Sequence, residues 1–83
     1  MSVFRVIYHG LVLSRGTFST INALRDMATD TPYEALKELR VIARHCTAAM
    51  GATKLDQDRY LLLRDILQDV TDAISEVEVG YCK

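Results

Sequence analysis

The chain has 83 residues, of which 49% are hydrophobic and 25% charged, and its formal net charge is −1. This composition is typical of a folded chain and excludes an intrinsically disordered one, and the length predicts a single domain, residues 1–83. Because a basic excess is missing, the composition also argues against a protein that works mainly by neutralising nucleic-acid phosphates.

The charge is unevenly distributed along the chain. Residues 1–54 carry seven basic and four acidic side chains, a net charge of +3, whereas residues 55–83 carry three and seven, a net charge of −4. The two cysteines are too few for a disulfide scaffold, so we expect Cys46 to be a buried thiol and Cys82 to be free. No signal peptide is recognisable and no apolar stretch approaches the roughly 20 residues that span a bilayer. A soluble, cytoplasmic protein is expected.

The first fifteen residues predict a β-hairpin. They are rich in β-branched and aromatic residues, and His9-Gly10 is a plausible two-residue turn between strands of about 3–8 and 11–15. The alternative is a helix, since some apolar residues here lie four apart. The hairpin is favoured because Gly10 in the middle of a helix would cost about 1 kcal/mol.

A short helix is predicted next. Thr17 or Ser19 can cap it, its apolar residues follow helical spacing, and it ends near Ala28. The following segment predicts a longer helix from about residue 32 to residue 50. Thr31 fits the N-cap position there, and Gly51 fits a C-terminal stop.

The start of the second helix carries the clearest local signal. Pro32 suits the first helical position, and Glu34 stands where a capping box with Thr31 would place it. A third helix is predicted from Leu55 or Asp56 to about Ser75, with apolar residues at heptad spacing.

The link between the two long helices is short, which predicts an antiparallel helical hairpin. Residues 76–82 either continue the last helix or add a short strand to the β-hairpin. The predicted fold class is therefore α+β and mostly α: an N-terminal β-hairpin, a short helix and a long antiparallel helical hairpin.

Catalytic and metal sites are not predicted. His45 and Cys46 are neighbours on a helix, so their side chains point about 100° apart, and His9 with Cys82 would supply only two ligands. The serines lack a nucleophile-elbow motif, and the glycines do not form a phosphate-binding loop. We therefore expect no cofactor, no metal and no enzymatic activity.

Two charged rows at helical spacing are the best candidate sites. The second helix carries a basic row consisting of Lys37, Arg40 and Arg44, and the third carries an acidic row consisting of Asp58, Asp65, Asp69, Asp72 and Glu76. Either row can be the solvated side of an amphipathic helix, or it can face a partner. The acidic row is the better candidate for a partner surface because its carboxylates have few cations interleaved.

These observations predict a protein-binding or regulatory module. One concrete version is a small inhibitor, such as a phage or other mobile element encodes, that occludes a partner protein through its acidic helix face. One alternative is a DNA-binding regulator that resembles a helix-turn-helix in outline and uses the basic row, although nucleic acid is the less favoured partner. Another is a structural homodimer. A homodimer is expected in any case, because the helices carry surplus apolar residues: Val41, Ile42, Leu61 and Leu62.

Overall fold

The computed structural model describes residues 5–81. The elements are, in chain order, β1 (Arg5–Tyr8), β2 (Leu11–Ser14), α1 (Gly16–Met27), α2 (Pro32–Ala52) and α3 (Gln57–Gly80). This order confirms an α+β, mostly α fold with an N-terminal hairpin followed by three helices. The predictions for residues 3 and 4 and for Cys82 lie outside the described residues.

The hairpin is confirmed together with its turn. β1 and β2 pair antiparallel, with Val6 opposite Leu13. His9 and Gly10 have φ angles of 49° and 82°, so both adopt the left-handed conformation that a type I′ turn requires. Val6 and Leu13 are buried and attach the hairpin to the helices.

The start of α1 differs from the prediction. Its N-cap residue is Arg15, and no side chain caps the helix, so the predicted caps at Thr17 and Ser19 are wrong. Thr17 is buried in the first turn, where its hydroxyl oxygen accepts a hydrogen bond from the backbone N–H of Ser14 at 3.0 Å. The hydroxyl therefore joins the end of β2 to the helix.

The ends of α2 are only partly as predicted. Thr31 does occupy the N-cap position, but its side chain makes no cap hydrogen bond. Its hydroxyl donates to the carbonyl of Met27 at 3.3 Å, so the predicted capping box with Glu34 is wrong. Gly51 does not end the helix either, since α2 continues to Ala52.

Helix α3 begins as predicted and extends further. Asp56 is the N-cap, and its carboxylate accepts a hydrogen bond from the backbone N–H of Arg59 at 2.8 Å, which lowers the pKa of Asp56. The helix ends at Gly80, beyond the predicted end at Ser75. Of the two alternatives for the residues after Ser75, helix is therefore correct for residues 76–80.

The two long helices pack antiparallel. Arg40 contacts Glu78 near one end of the pair, and the Cys46 thiol donates to the carbonyl of Leu63 at 3.0 Å further along. Burial raises the pKa of Cys46 to about 11. In the described part of the chain, no helix combines the length and the apolar sequence needed to cross a bilayer.

The hydrophobic core draws on the hairpin and all three helices. Among the residues without exposed surface are Leu13, Ile21, Leu39 and Ile66, one from each of four elements. α1 packs against both long helices, and its contact with α3 leaves a crevice along the surface between them. That crevice positions the candidate site.

Candidate protein-binding groove

The acidic row borders the crevice between α1 and α3, which we call the acidic groove. At the end of the groove nearest the start of both helices lies a depression of about 370 Å³. Its lining comprises Arg15, Phe18, Asp58, Leu61, Leu62 and Asp65. This end of the groove therefore combines an apolar floor with a charged rim.

The groove continues along α3 through a second depression. The next one has a volume of about 450 Å³ and shares Phe18 and Asp65 with the first. It is also lined by Asn22, Gln68, Asp69 and Asp72. Four carboxylates of the acidic row, from Asp58 to Asp72, thus line one continuous groove, and Glu76 lies in a separate depression beside Arg25.

Helical geometry explains why the five carboxylates lie on one side of α3. Their spacings along α3 are 7, 4, 3 and 4 residues, which return to the same side of a helix. At 1.5 Å per residue, the part of the row that lines the continuous groove, from Asp58 to Asp72, is about 21 Å long. The groove is therefore long enough to accept a helix or an extended segment rather than a single side chain.

Arg25 of α1 neutralises part of the row. Its Nη2 lies 3.0 Å from the Asp69 carboxylate, and its Nε lies 2.8 Å from that of Glu76. Nη2 also donates to the backbone carbonyl of Asp69 at 3.3 Å, and Nη1 donates to the side-chain oxygen of Asn22 at 2.9 Å. Desolvation lowers the pKa of Arg25, but the bonds to Glu76 and Asp69 outweigh it, so the pKa is raised.

The remaining carboxylates stay largely uncompensated. Within residues 5–81, Asp58 and Asp72 form no ion pair, and both are exposed. Asp65 has a single distant contact, 3.9 Å from the guanidinium of Arg64, and both of these side chains are more than half exposed. Arg15 lines the same depression as Asp58 and Asp65 without forming an ion pair among the described residues.

The apolar floor lies between these carboxylates. Phe18, Leu61 and Leu62 are all half-buried, and Phe18 and Leu62 also pack against the core. Leu61 lies on the outer side of α3, away from the buried stripe, and forms part of the lining of the first depression. An apolar floor with a polar rim is the usual composition of a binding surface.

The basic row lies on a different face. Lys37, Arg40 and Arg44 are exposed on the side of α2 opposite its buried residues, and Tyr33, which is 68% exposed, shares that side. Arg40 contacts Glu78 of α3 at 3.4 Å. Lys37 and Arg44 form no ion pair within the described part of the chain.

The four predicted interface residues are not brought together. Leu61 and Leu62 line the acidic groove, whereas Val41 lies elsewhere on α2, where its backbone carbonyl accepts a hydrogen bond from His45. Ile42 is only 7% exposed and belongs to the core, so the prediction that it lies on an exposed interface is corrected. Its position on α2 coincides with the buried stripe.

Metal ligands do not cluster in residues 5–81: no group of three or more His, Cys, Asp or Glu side chains there has a suitable arrangement. His45 is half-buried, and its Nδ1 lies 2.9 Å from the carbonyl of Val41. Cys46 next to it is buried in the core and bonded to Leu63.

Sequence reasoning missed the α1 wall of the groove, which consists of Arg15, Phe18, Asn22 and Arg25. One signal was present: Arg25 is a cation in the last turn of an otherwise weakly charged helix, opposite an unusually acidic one.

No known family, curated protein or solved structure matches the chain.

Proposed function

We propose that the chain is a non-catalytic protein-binding module that regulates a partner by covering a cationic surface of it with the acidic groove. The observation that carries the proposal is the combination of the half-buried apolar floor with three carboxylates that Arg25 does not neutralise: Asp58, Asp65 and Asp72. An inhibitor that occludes its target is the simplest form of such a module.

The floor and the rim have separate roles in this proposal. Removal of Phe18, Leu61 and Leu62 from water supplies affinity, because apolar burial is the main favourable term in protein association. The carboxylates contribute the rate of association and the choice of partner, since complementary charge steers the encounter and penalises acidic partners. A row of carboxylates without such a floor would be more simply explained as a solvated helix face.

The test is a charge-reversal variant that spares the internal ion pairs. Replacement of Asp58, Asp65 and Asp72 by lysine changes the groove, while Asp69 and Glu76 remain bound to Arg25. The matched control reverses three exposed carboxylates outside the groove: Asp26, Asp30 and Glu38. Because the change in net charge is the same in both variants, any difference between them reports the location of the charges.

Both variants and the wild type are immobilised and used to capture partners from a lysate of the source cells, with and without nuclease. We expect a protein that resists nuclease to be retained by the wild type and by the control, and lost from the groove variant. Equal retention by all three proteins would remove the groove from consideration. Partners that disappear with nuclease would instead implicate the basic row and nucleic acid.

A further inference from the structure

The outer faces of α2 and α3 carry the same residue spacing with opposite charge. On α2 the exposed row is Tyr33, Lys37, Arg40 and Arg44, and on the groove side of α3 it is Leu61, Asp65, Gln68 and Asp72. Both rows have steps of 4, 3 and 4 residues, which keep side chains on one side of a helix over about 16 Å. Two helices that run parallel in this alignment would face each other residue by residue.

Every position of this alignment is chemically complementary. Lys37 would face Asp65 and Arg44 would face Asp72, which gives two ion pairs. The ring of Tyr33 would lie over Leu61 at the apolar end of the groove, next to Phe18. Complementary apolar and charged contacts at matched spacing are how two helix faces recognise each other.

At the fourth position of the alignment, the existing ion pair of Arg40 is left undisturbed. Arg40 is already bound to Glu78 at 3.4 Å, and in this alignment it faces the amide of Gln68 rather than a carboxylate. Lys37, Arg44 and Asp72 have no ion pair to lose among the described residues. Formation of the new contact therefore breaks no ion pair except the distant one between Arg64 and Asp65, at 3.9 Å.

The two rows cannot meet within one chain. α2 and α3 of the same copy pack antiparallel, and the basic row lies on the side of α2 that faces away from the core. A parallel alignment is available only between two copies. We propose that the outer face of α2 in one copy binds in the acidic groove of a second copy.

This self-association goes beyond the proposed function and uses the same groove. The contact joins two different surfaces, so a pair of bound copies still presents one unused face of each kind, and growth continues into chains unless a ring closes. A groove that is occupied by α2 of another copy is masked from a partner. Self-association thus regulates the availability of the groove.

Two variants test the contact. The basic-face variant carries Lys37→Glu and Arg44→Glu, and the groove variant carries Asp65→Lys and Asp72→Lys. All four residues are exposed, so circular dichroism should show an unchanged fold and provide the control for folding. Sedimentation velocity or light scattering then measures the mass over a range of protein concentrations.

For the wild type we expect a mass that rises with concentration at about 0.02 M salt and falls to that of the monomer near 1 M, because the Debye length shrinks from roughly 20 Å to 3 Å. Each variant alone should associate at least about tenfold more weakly, since two attractive pairs become repulsive. A mixture of the two variants should recover association, because the groove variant supplies the intact basic face, the basic-face variant supplies the intact groove, and the two reversed faces are again opposite in charge.

Three results would overturn the proposal. The first is a wild type that remains monomeric at low salt and high concentration. The second is association of both variants as strong as that of the wild type, which would point to another face such as the exposed Ile7 and Val12 of the hairpin. The third is a mixture of the two variants that fails to recover association. Partner capture by the groove is an independent readout. The basic-face variant keeps the groove intact and should still capture the partner, so failure of self-association and failure of the proposed function are distinguishable.

Discussion

Removal of the Arg25 guanidinium should destabilise the whole fold. Arg25 is the main polar link between α1 and α3, because it contacts the carboxylates of Asp69 and Glu76, a backbone carbonyl of α3 and Asn22. In an Arg25→Gln variant the shorter, neutral side chain cannot reach both carboxylates. The acidic row would then lose its internal cation and repel itself along α3.

The magnitude follows from the exposure of each partner. The side chains of Arg25 and Asp69 are 24% and 27% exposed, whereas that of Glu76 is 60% exposed, so solvent screens the Glu76 pair most. A charged hydrogen bond in a partly buried site contributes roughly 1.5–3 kcal/mol, and an exposed pair about 0–1 kcal/mol. After a discount for screening, we expect the free energy of unfolding to fall by about 2 kcal/mol, which corresponds to a Tm about 10 °C lower.

Urea denaturation followed by circular dichroism measures this change, with Arg64→Gln as the matched control. The Arg64 side chain is 60% exposed, and its ion pair with Asp65 is long, at 3.9 Å. Its replacement should therefore alter the free energy of unfolding by less than about 0.5 kcal/mol. High salt should reduce the difference between the two variants, because it screens the repulsion along α3. Equal stability of both variants would refute the idea that Arg25 joins the two helices.

Two further predictions concern local structure. In a Cys82→Ser background, Cys46 should resist alkylation in the folded protein, because burial raises its pKa to about 11 and leaves about 100-fold less thiolate at pH 8 than in a free thiol. Labelling in native buffer at the rate of a small-molecule thiol would contradict its burial. At the turn, where φ is 49°, His9→Asn should raise the free energy of unfolding by about 0.5 kcal/mol and His9→Val should lower it by about 1 kcal/mol. Thermal melts of the two variants should therefore move in opposite directions, and a common shift would argue against a type I′ turn.

The parts of the fold that the sequence predicts correctly depend on local interactions. His9-Gly10 predicts its turn because few residue pairs accept two successive positive φ angles. Asp56 likewise caps α3 through a hydrogen bond to a residue only three positions away. Such signals lie within one turn of the chain, so the sequence alone contains them.

The errors occur where a residue has more than one local role and the structure uses another than the predicted one. Gly51 is a good helix stop in isolation, yet α2 continues past it to Ala52. The hydroxyls of Thr17 and Thr31 bond the neighbouring backbone of Ser14 and Met27 instead of capping their own helices. A Thr hydroxyl can bond several neighbouring backbone groups, so its preference for the N-cap position is only a weak predictor.

Only the half of the candidate site that lies on a single helix was predictable. The acidic row is a property of one helix, so helical spacing identifies it. The α1 wall depends on contacts such as Arg25 to Glu76, which join residues 51 positions apart in sequence. Periodicity within α1 shows which residues are apolar, but not which neighbouring helix they lie against.

In this fold, the uneven charge along the chain becomes two oppositely charged surfaces. The acidic groove and the outer face of α2 carry opposite charge on different surfaces of a molecule whose net charge is −1. If copies associate through these faces, the apparent affinity of a partner falls in proportion to the fraction of grooves left open. To displace α2 of another copy, the partner must bind the groove more strongly than α2 does. It must therefore carry either more closely spaced cations than Lys37 and Arg44 or a larger apolar side chain than Tyr33. Dilution of the protein, or mutation of its basic face, should therefore strengthen partner binding without any change in the groove itself.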